Sequence, residues 1–214
     1  MTNNKGCLYI LGAGGFAREI YSYLAVQNFV FNDYKLAGFL DDNENALDGF
    51  NCSHKILGGI KNSNLSNKDI LILGVANPLV KKDLFNFYNI TPGNIVTYIH
   101  DTAIVGRNVI IGQGTVLAPY TVLTTDVIIG ICCTINVFST IGHDAEIGDY
   151  STLSGHCDVT GNVKLGQSVF MGSHASVIPN TLVEDNVVIG AGSLVIRRVK
   201  MNSTVFGNPA KKIK

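Results

Sequence analysis

The sequence predicts two successive architectures, a small α/β unit over residues 1–92 and a parallel β-helix over residues 93–214. Two observations carry this reading. From residue 99 onward an aliphatic residue or methionine recurs every six positions: Ile99, Val105, Ile111, Leu117, Leu123, Ile129, Ile135, Ile141, Ile147, Leu153, Val159, Leu165, Met171, Val177, Val183, Ile189 and Val195, seventeen matches without a slip. An α-helix or a hairpin has no period of six, whereas a parallel β-helix with short faces does, and hexapeptide repeats are its signature. Before residue 90 the pattern is different: short apolar runs alternate with helical spacing, as in a parallel α/β unit.

The first half reads in order as follows. "CLYIL" (7–11) is a buried-strand run, "GAGG" (12–15) a turn, and "FAREIYSYLAVQ" (16–27) a helix with Phe16, Ile20 and Leu24 on one face and Ala17 and Tyr21 beside them. "KLAGFL" (35–40) and "DILILGVA" (69–76) are further strands, and "LVKKDLFNFY" (79–88) has helical spacing at Val80, Leu84 and Tyr88.

In the second half, three hexads make a coil of about 18 residues, so residues 99–200 hold roughly five to six coils. Glycine or alanine often follows the aliphatic residue, as at Gly106, Gly112, Ala118, Gly130, Gly142, Gly148, Gly166, Gly172 and Gly190, and is expected there if the backbone turns sharply. A prism of this kind has flat sides that can pack against further copies.

Composition narrows the function classes. With 16 basic and 16 acidic side chains the formal charge balances, so no general field draws the chain to nucleic acid or anionic lipid. A small-molecule partner is the default. The five cysteines (Cys7, Cys52, Cys132, Cys133, Cys157) are odd in number, lack C-x-x-C spacing and include an adjacent pair poorly suited to a disulfide. No run approaches the ~20 apolar residues of a membrane span, and the N-terminus has no signal-peptide pattern. A soluble cytoplasmic protein with reduced thiols is expected.

Three groups of residues carry candidate chemistry. His143 and Asp144 are the third and fourth residues of the Ile141 hexad, at a corner where side chains point away from the coil. Either they form a general base and the acid that fixes its ring, since imidazole titrates near neutrality, or they are a solvated corner pair. His156 and His174 are 18 residues apart and should stack one coil above the other, as structural groups or contacts to a bound chain. A zinc site made of His143, His156 and His174 lacks the close pair on one strand that usually anchors such a site, and no metal is expected. "GAGGFA" (12–17) fits G-x-G-x-x-A between a strand and a helix, with Asp41 and Asp42 after the next strand. That is the context of a nucleotide-binding fingerprint, in which Gly12, Gly14 and Gly15 allow close approach of a diphosphate; a plain tight turn fits equally well.

Together the glycine loop, "GFLDD" (38–42), the hexads, "GHDAEIGDY" (142–150) and the terminal "VFGNPAKKI" (205–213) resemble the hexapeptide sugar acetyltransferases that modify nucleotide-linked amino sugars or sialic acid, the bacillosamine and perosamine N-acetyltransferases above all. The resemblance spans essentially the whole chain. It implies a left-handed β-helix, an exception to the usual crossover rule, a homotrimer, an N-terminal domain holding a nucleotide-linked sugar, and acetyl-CoA as co-substrate in the groove between neighbouring β-helices. His143 matches the family's catalytic histidine, Asp144 its acidic neighbour, and Gly161 of "GNV" (161–163) the backbone N–H that faces the thioester oxygen. Ser173 and Ala191 match positions giving backbone contacts to CoA. Asn136 matches a polar residue near the sugar, with an inward asparagine ladder as the other explanation. Phe16 stands where bacillosamine-type enzymes often have histidine, and Asp144 where they often have glutamate; the shorter acid fits a perosamine-like or other substrate at least as well and leaves O-acetylation open. Lys211, Lys212 and Lys214 either meet a CoA phosphate or form a solvated basic tail. Cys157 as an acyl-enzyme nucleophile, a noncatalytic β-helix assembly module and a zinc hydratase are the competing readings.

Overall fold

The computed structural model describes residues 6–62, 64–91 and 93–214. The chain forms two compact units: one extends to Ala76 and takes in Val80–Val96, and the other comprises Asn77–Leu79 and Thr97–Lys214. The boundary expected after residue 92 falls on a position outside the described residues.

In the first unit, β1 (Leu8–Leu11), α1 (Gly15–Val26), β2 (Val30–Phe31), β3 (Tyr34–Leu40), β4 (Ile70–Leu73), α2 (Pro78–Tyr88) and β5 (Asn94–Ile95) follow in order. They build one sheet, β2-β3-β1-β4-β5, parallel except for the β2–β3 hairpin. The hairpin escapes a reading based on apolar runs because its signal is the turn. Asn32 and Asp33 both adopt positive φ (48° and 65°), as a tight two-residue connection requires. Helix α1 buries Ile20 and Leu24 with Ala17 and Tyr21 beside them, as the spacing predicts, while Phe16 at the edge of that face is only partly buried. Helix α2 buries Lys81, Leu84 and Tyr88, while Val80 is exposed.

The second unit is a parallel β-solenoid of 18-residue coils. Two-residue strands stack into three sheets, and each residue pairs with the one 18 further on: Val116 with Thr134, Thr140 with Asp158, Ile128 with Glu146. The hexad aliphatics from Leu117 to Val195 are buried and form the inner ladders, each side chain contributing about 1.5–3 kcal/mol on leaving water. Ile99 and Val105, at the start of the ladder, are still substantially exposed. At the other end, Lys211–Lys212 turns back antiparallel on Thr204–Phe206 and closes that edge.

The fifth residue of each hexad, four after the aliphatic one, also points inward. Thr115, Thr121, Val127, Cys133, Ser139, Ala145, Ser151, Cys157, Val163, Val169 and Ala175 are all buried. Small size is what they share, and their polar members complete their bonds between coils. Ser139 Oγ donates to the Ser154 carbonyl (3.0 Å) and accepts the Cys157 N–H (3.1 Å), and Cys157 Sγ donates to the Gly172 carbonyl (3.3 Å).

The turns are made elsewhere than the glycine spacing suggests. The positive-φ residue is the fourth of each hexad, φ 51–62° at thirteen non-glycine positions from Asn108 to Asn186, with Gly114 and Gly192 completing the series. Asparagine and aspartate, which tolerate this conformation best, fill many of these corners. The glycines at the second position have another purpose, because there the next coil lies against the Cα. A β-carbon on Gly142 would sit 2.6 Å from the Gly161 nitrogen, and one on Gly172 2.5 Å from the Ala191 nitrogen.

Candidate functional site

His143 and Asp144 occupy the corner between the strand Thr140–Ile141 and the strand Glu146–Ile147. Asp144 takes the positive-φ position (60°), held by its N–H donating to the Thr125 carbonyl of the preceding coil (3.2 Å). That backbone turn brings the carboxylate beside its neighbour's ring, and His143 Nδ1–H donates to Asp144 Oδ2 at 2.7 Å. Both side chains are more than half exposed (59% and 53%), so this is an accessible pair rather than a buried ion pair. In a neutral ring that donates through Nδ1 to the acid, Nε2 is the nitrogen that carries the lone pair.

Gly161 lies one coil beyond, directly against that nitrogen. A β-carbon there would be 2.5 Å from His143 Nε2 and 2.7 Å from Cε1, so the imidazole edge rests where a side chain would otherwise stand. Coil stacking fixes the contact, since the Asn162 N–H donates to the His143 carbonyl (2.9 Å). The Gly161 N–H has no acceptor among the described residues. A lone-pair nitrogen, an oriented carboxylate and an uncommitted N–H therefore meet at one exposed corner. That set can take a proton and stabilise a developing oxyanion.

Ser173 and Ala191 are exposed on a different corner, the one that carries His156 and His174. A single chain does not bring them to His143. Asn136 is half-buried and turned onto its neighbour, Oδ1 accepting the Val137 N–H at 2.7 Å. It does not point inward, and residues 118, 154 and 172 above and below it are Ala118, Ser154 and Gly172, so the asparagine-ladder explanation is set aside. His156 and His174 stack at 4.6 Å with a 7° tilt, as their spacing predicts.

Cys157 is unsuited to nucleophilic catalysis. It is 1% exposed and burial pushes its thiol up to about 12, so no thiolate forms near neutrality. The native thiol is expected to resist iodoacetamide at pH 8. A folded value above the ordinary 9.0 means that the unfolded chain releases its proton first. This group's contribution is thus present below pH 9 and lost between about 9 and 12, which a pH series of thermal melts of parent and C157A will show.

In the first unit the structure brings Asp41 to the glycine loop, while Asp42 turns to the Gly59–Ile60 segment. Gly12 has φ +93° and closes the turn after β1, while Gly14 and Gly15 are exposed, with nothing within 4 Å of a β-carbon on either. Asp41 ties the loop down: Oδ2 accepts the Ala13 N–H (2.7 Å) and Oδ1 the Asn43 N–H (2.8 Å). Asp42 accepts the Ile60 N–H through Oδ1 (2.9 Å). Asp41 thus shapes the loop, and the exposed Asp42 is the better placed of the two for a ligand donor. The sequence reading missed the surroundings. Arg18 lies 3.6 Å over the Phe50 ring, and Tyr21 Oη, Ser53 Oγ and His54 Nδ1 form a polar cluster (2.8–3.3 Å) beside an open cleft of about 760 Å³ lined by Glu44, Asp48, Phe50, Cys52 and His54. No motif spacing joins residues 18, 21 and 50–54; only the fold does.

Residues 7–87 match the family model described as the PglD N-terminal domain. No curated protein matches the chain in sequence. Among solved structures, the chain is similar to the acetyltransferase domain of PglB from Neisseria gonorrhoeae FA1090 (TM-score 0.88, 24% identity, 98% of this chain and 100% of that one). It is also similar to PerB from Caulobacter crescentus, solved with CoA and GDP-perosamine (0.85, 23%, 98% of each chain), and to WeeI from Acinetobacter baumannii AYE (0.82, 23%, 97% and 99%). These likenesses establish the fold, including the left-handed sense of the β-helix. Among the described residues no helix is long and apolar enough to cross a membrane, and no group of three or more His, Cys, Asp or Glu side chains could hold a metal ion.

Proposed function

We propose that the chain is a cytoplasmic acetyl-CoA-dependent N-acetyltransferase acting on the amino group of a nucleotide-linked 4-amino-4,6-dideoxy sugar. The observation that carries this reading is the His143 corner, with Nδ1 held by Asp144 and Nε2 against Gly161. Support comes from the fold shared with PerB, whose structure holds CoA and GDP-perosamine, and from the PglD-type match over residues 7–87.

Transfer is direct in this reading. As the sugar amine attacks the thioester carbonyl, His143 Nε2 takes a proton from the nitrogen. Asp144 fixes the ring and favours the imidazolium that forms, the Gly161 N–H stabilises the oxyanion, and collapse expels the CoA thiolate. The first unit binds the nucleotide through Gly12, Gly14, Gly15 and Asp42, with Asp41 shaping the loop. Asn136 is the polar residue assigned to the sugar, by its match to the family position. Ser173 and Ala191 contact CoA from a second copy's corner, which is why a homotrimer completes the site.

Thiol release from acetyl-CoA, measured against UDP-, dTDP- and GDP-linked 4-amino-4,6-dideoxy sugars and sialic acid, is the test. Release with one amino sugar is the expected result. Release with sialic acid alone would convert the reading to O-acetylation, and no release with no CoA binding would leave a noncatalytic module.

A further inference from the structure

The balanced total of charges hides an uneven distribution. Six of the 16 basic side chains and none of the 16 acidic ones lie beyond Asp185: Arg197, Arg198, Lys200, Lys211, Lys212 and Lys214. The fold gathers this segment into the last coil of the solenoid. Leu194–Val195 is the edge strand of one sheet, Val199 bridges to Val183 at the edge of the second, and Lys211–Lys212 is the edge of the third, so among the described residues no coil stacks beyond it. All six cations are exposed. The acids just before the segment are already engaged: Glu184 pairs with Arg198 at 2.6 Å, and Asp185 accepts the Gln167 N–H of the coil beside it (2.8 Å).

Apolar side chains are interleaved with these cations. Ile196, Met201 and Ile213 are 37%, 56% and 66% exposed, so aliphatic surface stands in water among the charges. A hollow of about 250 Å³ opens in the same coil, with the buried Val195, Val199 and Val205 at its floor and the exposed Arg197, Lys200 and Lys212 at its mouth. Lys211 is not part of this surface. It is in register with the exposed Phe206, whereas Lys212 is in register with the buried Val205, and successive strand residues face opposite ways. Lys212 is therefore the one turned over the hollow.

We propose that the last coil is a docking surface for an anionic phospholipid bilayer, with Arg197, Lys200, Lys212 and Lys214 at the headgroup phosphates and Ile196, Met201 and Ile213 in the interface. Charge complementarity sets the sign of the partner, since a cluster of about four to eight Lys and Arg is what an anionic leaflet attracts. The aliphatic residues set its class. A nucleic-acid backbone would meet the cations and leave Ile196, Met201 and Ile213 in water, whereas a headgroup layer with hydrocarbon beneath it takes both. The hollow has the same order, cations at the mouth and aliphatic groups behind. So few apolar side chains make the attachment reversible. The surface is independent of the acetyl-transfer reading.

The test is co-sedimentation of the full chain with vesicles of phosphatidylcholine containing about one-third phosphatidylglycerol, against vesicles of phosphatidylcholine alone. The chain is expected to sediment with the anionic vesicles at ~0.1 M salt, to be released at ~0.5 M as screening shortens the reach of the charges, and to ignore the neutral vesicles. Arg197→Gln/Lys200→Gln/Lys212→Gln should bind roughly 10²-fold more weakly, about five-fold per charge. Lys35→Gln/Arg107→Gln/Lys164→Gln removes the same net charge from exposed sites elsewhere and should bind within about three-fold of the parent. Ile196→Ser/Met201→Ser should weaken vesicle binding about ten-fold while leaving binding to a short DNA duplex unchanged. Equal sedimentation with neutral and anionic vesicles, no sedimentation at low salt, or equal losses in the two triple variants would overturn the docking surface. So would an Ile196→Ser/Met201→Ser protein that binds vesicles like the parent, because the coil would then be a general polyanion site. Should the first triple variant fail to fold in a thermal melt, the salt release and the apolar pair decide the matter.

Discussion

His143→Ala is expected to lower kcat for acetyl transfer by ~10²–10⁴, the usual contribution of a positioned general base, with little change in KM for either substrate. In the proposed mechanism the imidazole takes its proton only as the new bond forms, so its loss would fall on the transition state and not on ground-state binding. The fold should not register the change. His143 is 59% exposed and among the described residues its single side-chain bond is to Asp144, so the thermal midpoint should stay within a few degrees of the parent. Steady-state kinetics and a melt of the same preparation check both halves. Turnover equal to the parent's removes His143 from the mechanism, and a large loss of Tm would mean that any loss of turnover reflects unfolding.

The second large effect is a contrast between two glycines on adjacent coils. Gly161→Ala places a methyl 2.5 Å from His143 Nε2, and the neighbour that must give way is the end of an exposed side chain. The coil survives while the base is displaced, and kcat should fall about 10²-fold, as for a misplacement of roughly 1 Å. Gly142→Ala aims its methyl at backbone instead, 2.6 Å from the Gly161 nitrogen and 2.7 Å from the Thr160 carbonyl carbon. Backbone within a stacked coil cannot step aside, so this variant should lose about 1–3 kcal/mol of stability. Denaturant melts and kcat measured on both proteins give the test. Equal stability losses would show that the imidazole is held as firmly as the backbone, against its exposure. A Gly161→Ala enzyme with full turnover would show that the ring's position against Gly161 has no catalytic role.

The solenoid was legible in the sequence because one physical requirement, an aliphatic side chain facing the axis, recurs in every hexad from Ile99 to Val195. The His143–Asp144 pair was legible because it falls at a fixed offset in that frame. The role of the hexad glycines was not. Their spacing suggested a turn, but the turn lies two residues later at Asp144 and its equivalents, and the glycines answer to the coil beside them. The buried face of α1 was legible too, in Ile20 and Leu24 with Ala17 and Tyr21 beside them; only Phe16, at its edge, is less buried than the spacing suggests, because periodicity fixes a face to within about one position.

What the sequence determined by itself was therefore whatever repeats along the chain or sits next to its partner in it: the coil period, the corner positions, the strand–glycine–helix opening, and a histidine beside an aspartate. The tertiary structure decided what depends on residues 18 or more apart. It set Gly161 against Nε2, buried Cys157 and raised its thiol to about 12, gathered Tyr21, Ser53 and His54, and aligned Tyr120, Phe138, His156 and His174 into a column that stops at a glycine. Local geometry follows from each residue's own stereochemistry, but a contact between coils exists only once hydrogen-bond register has stacked them.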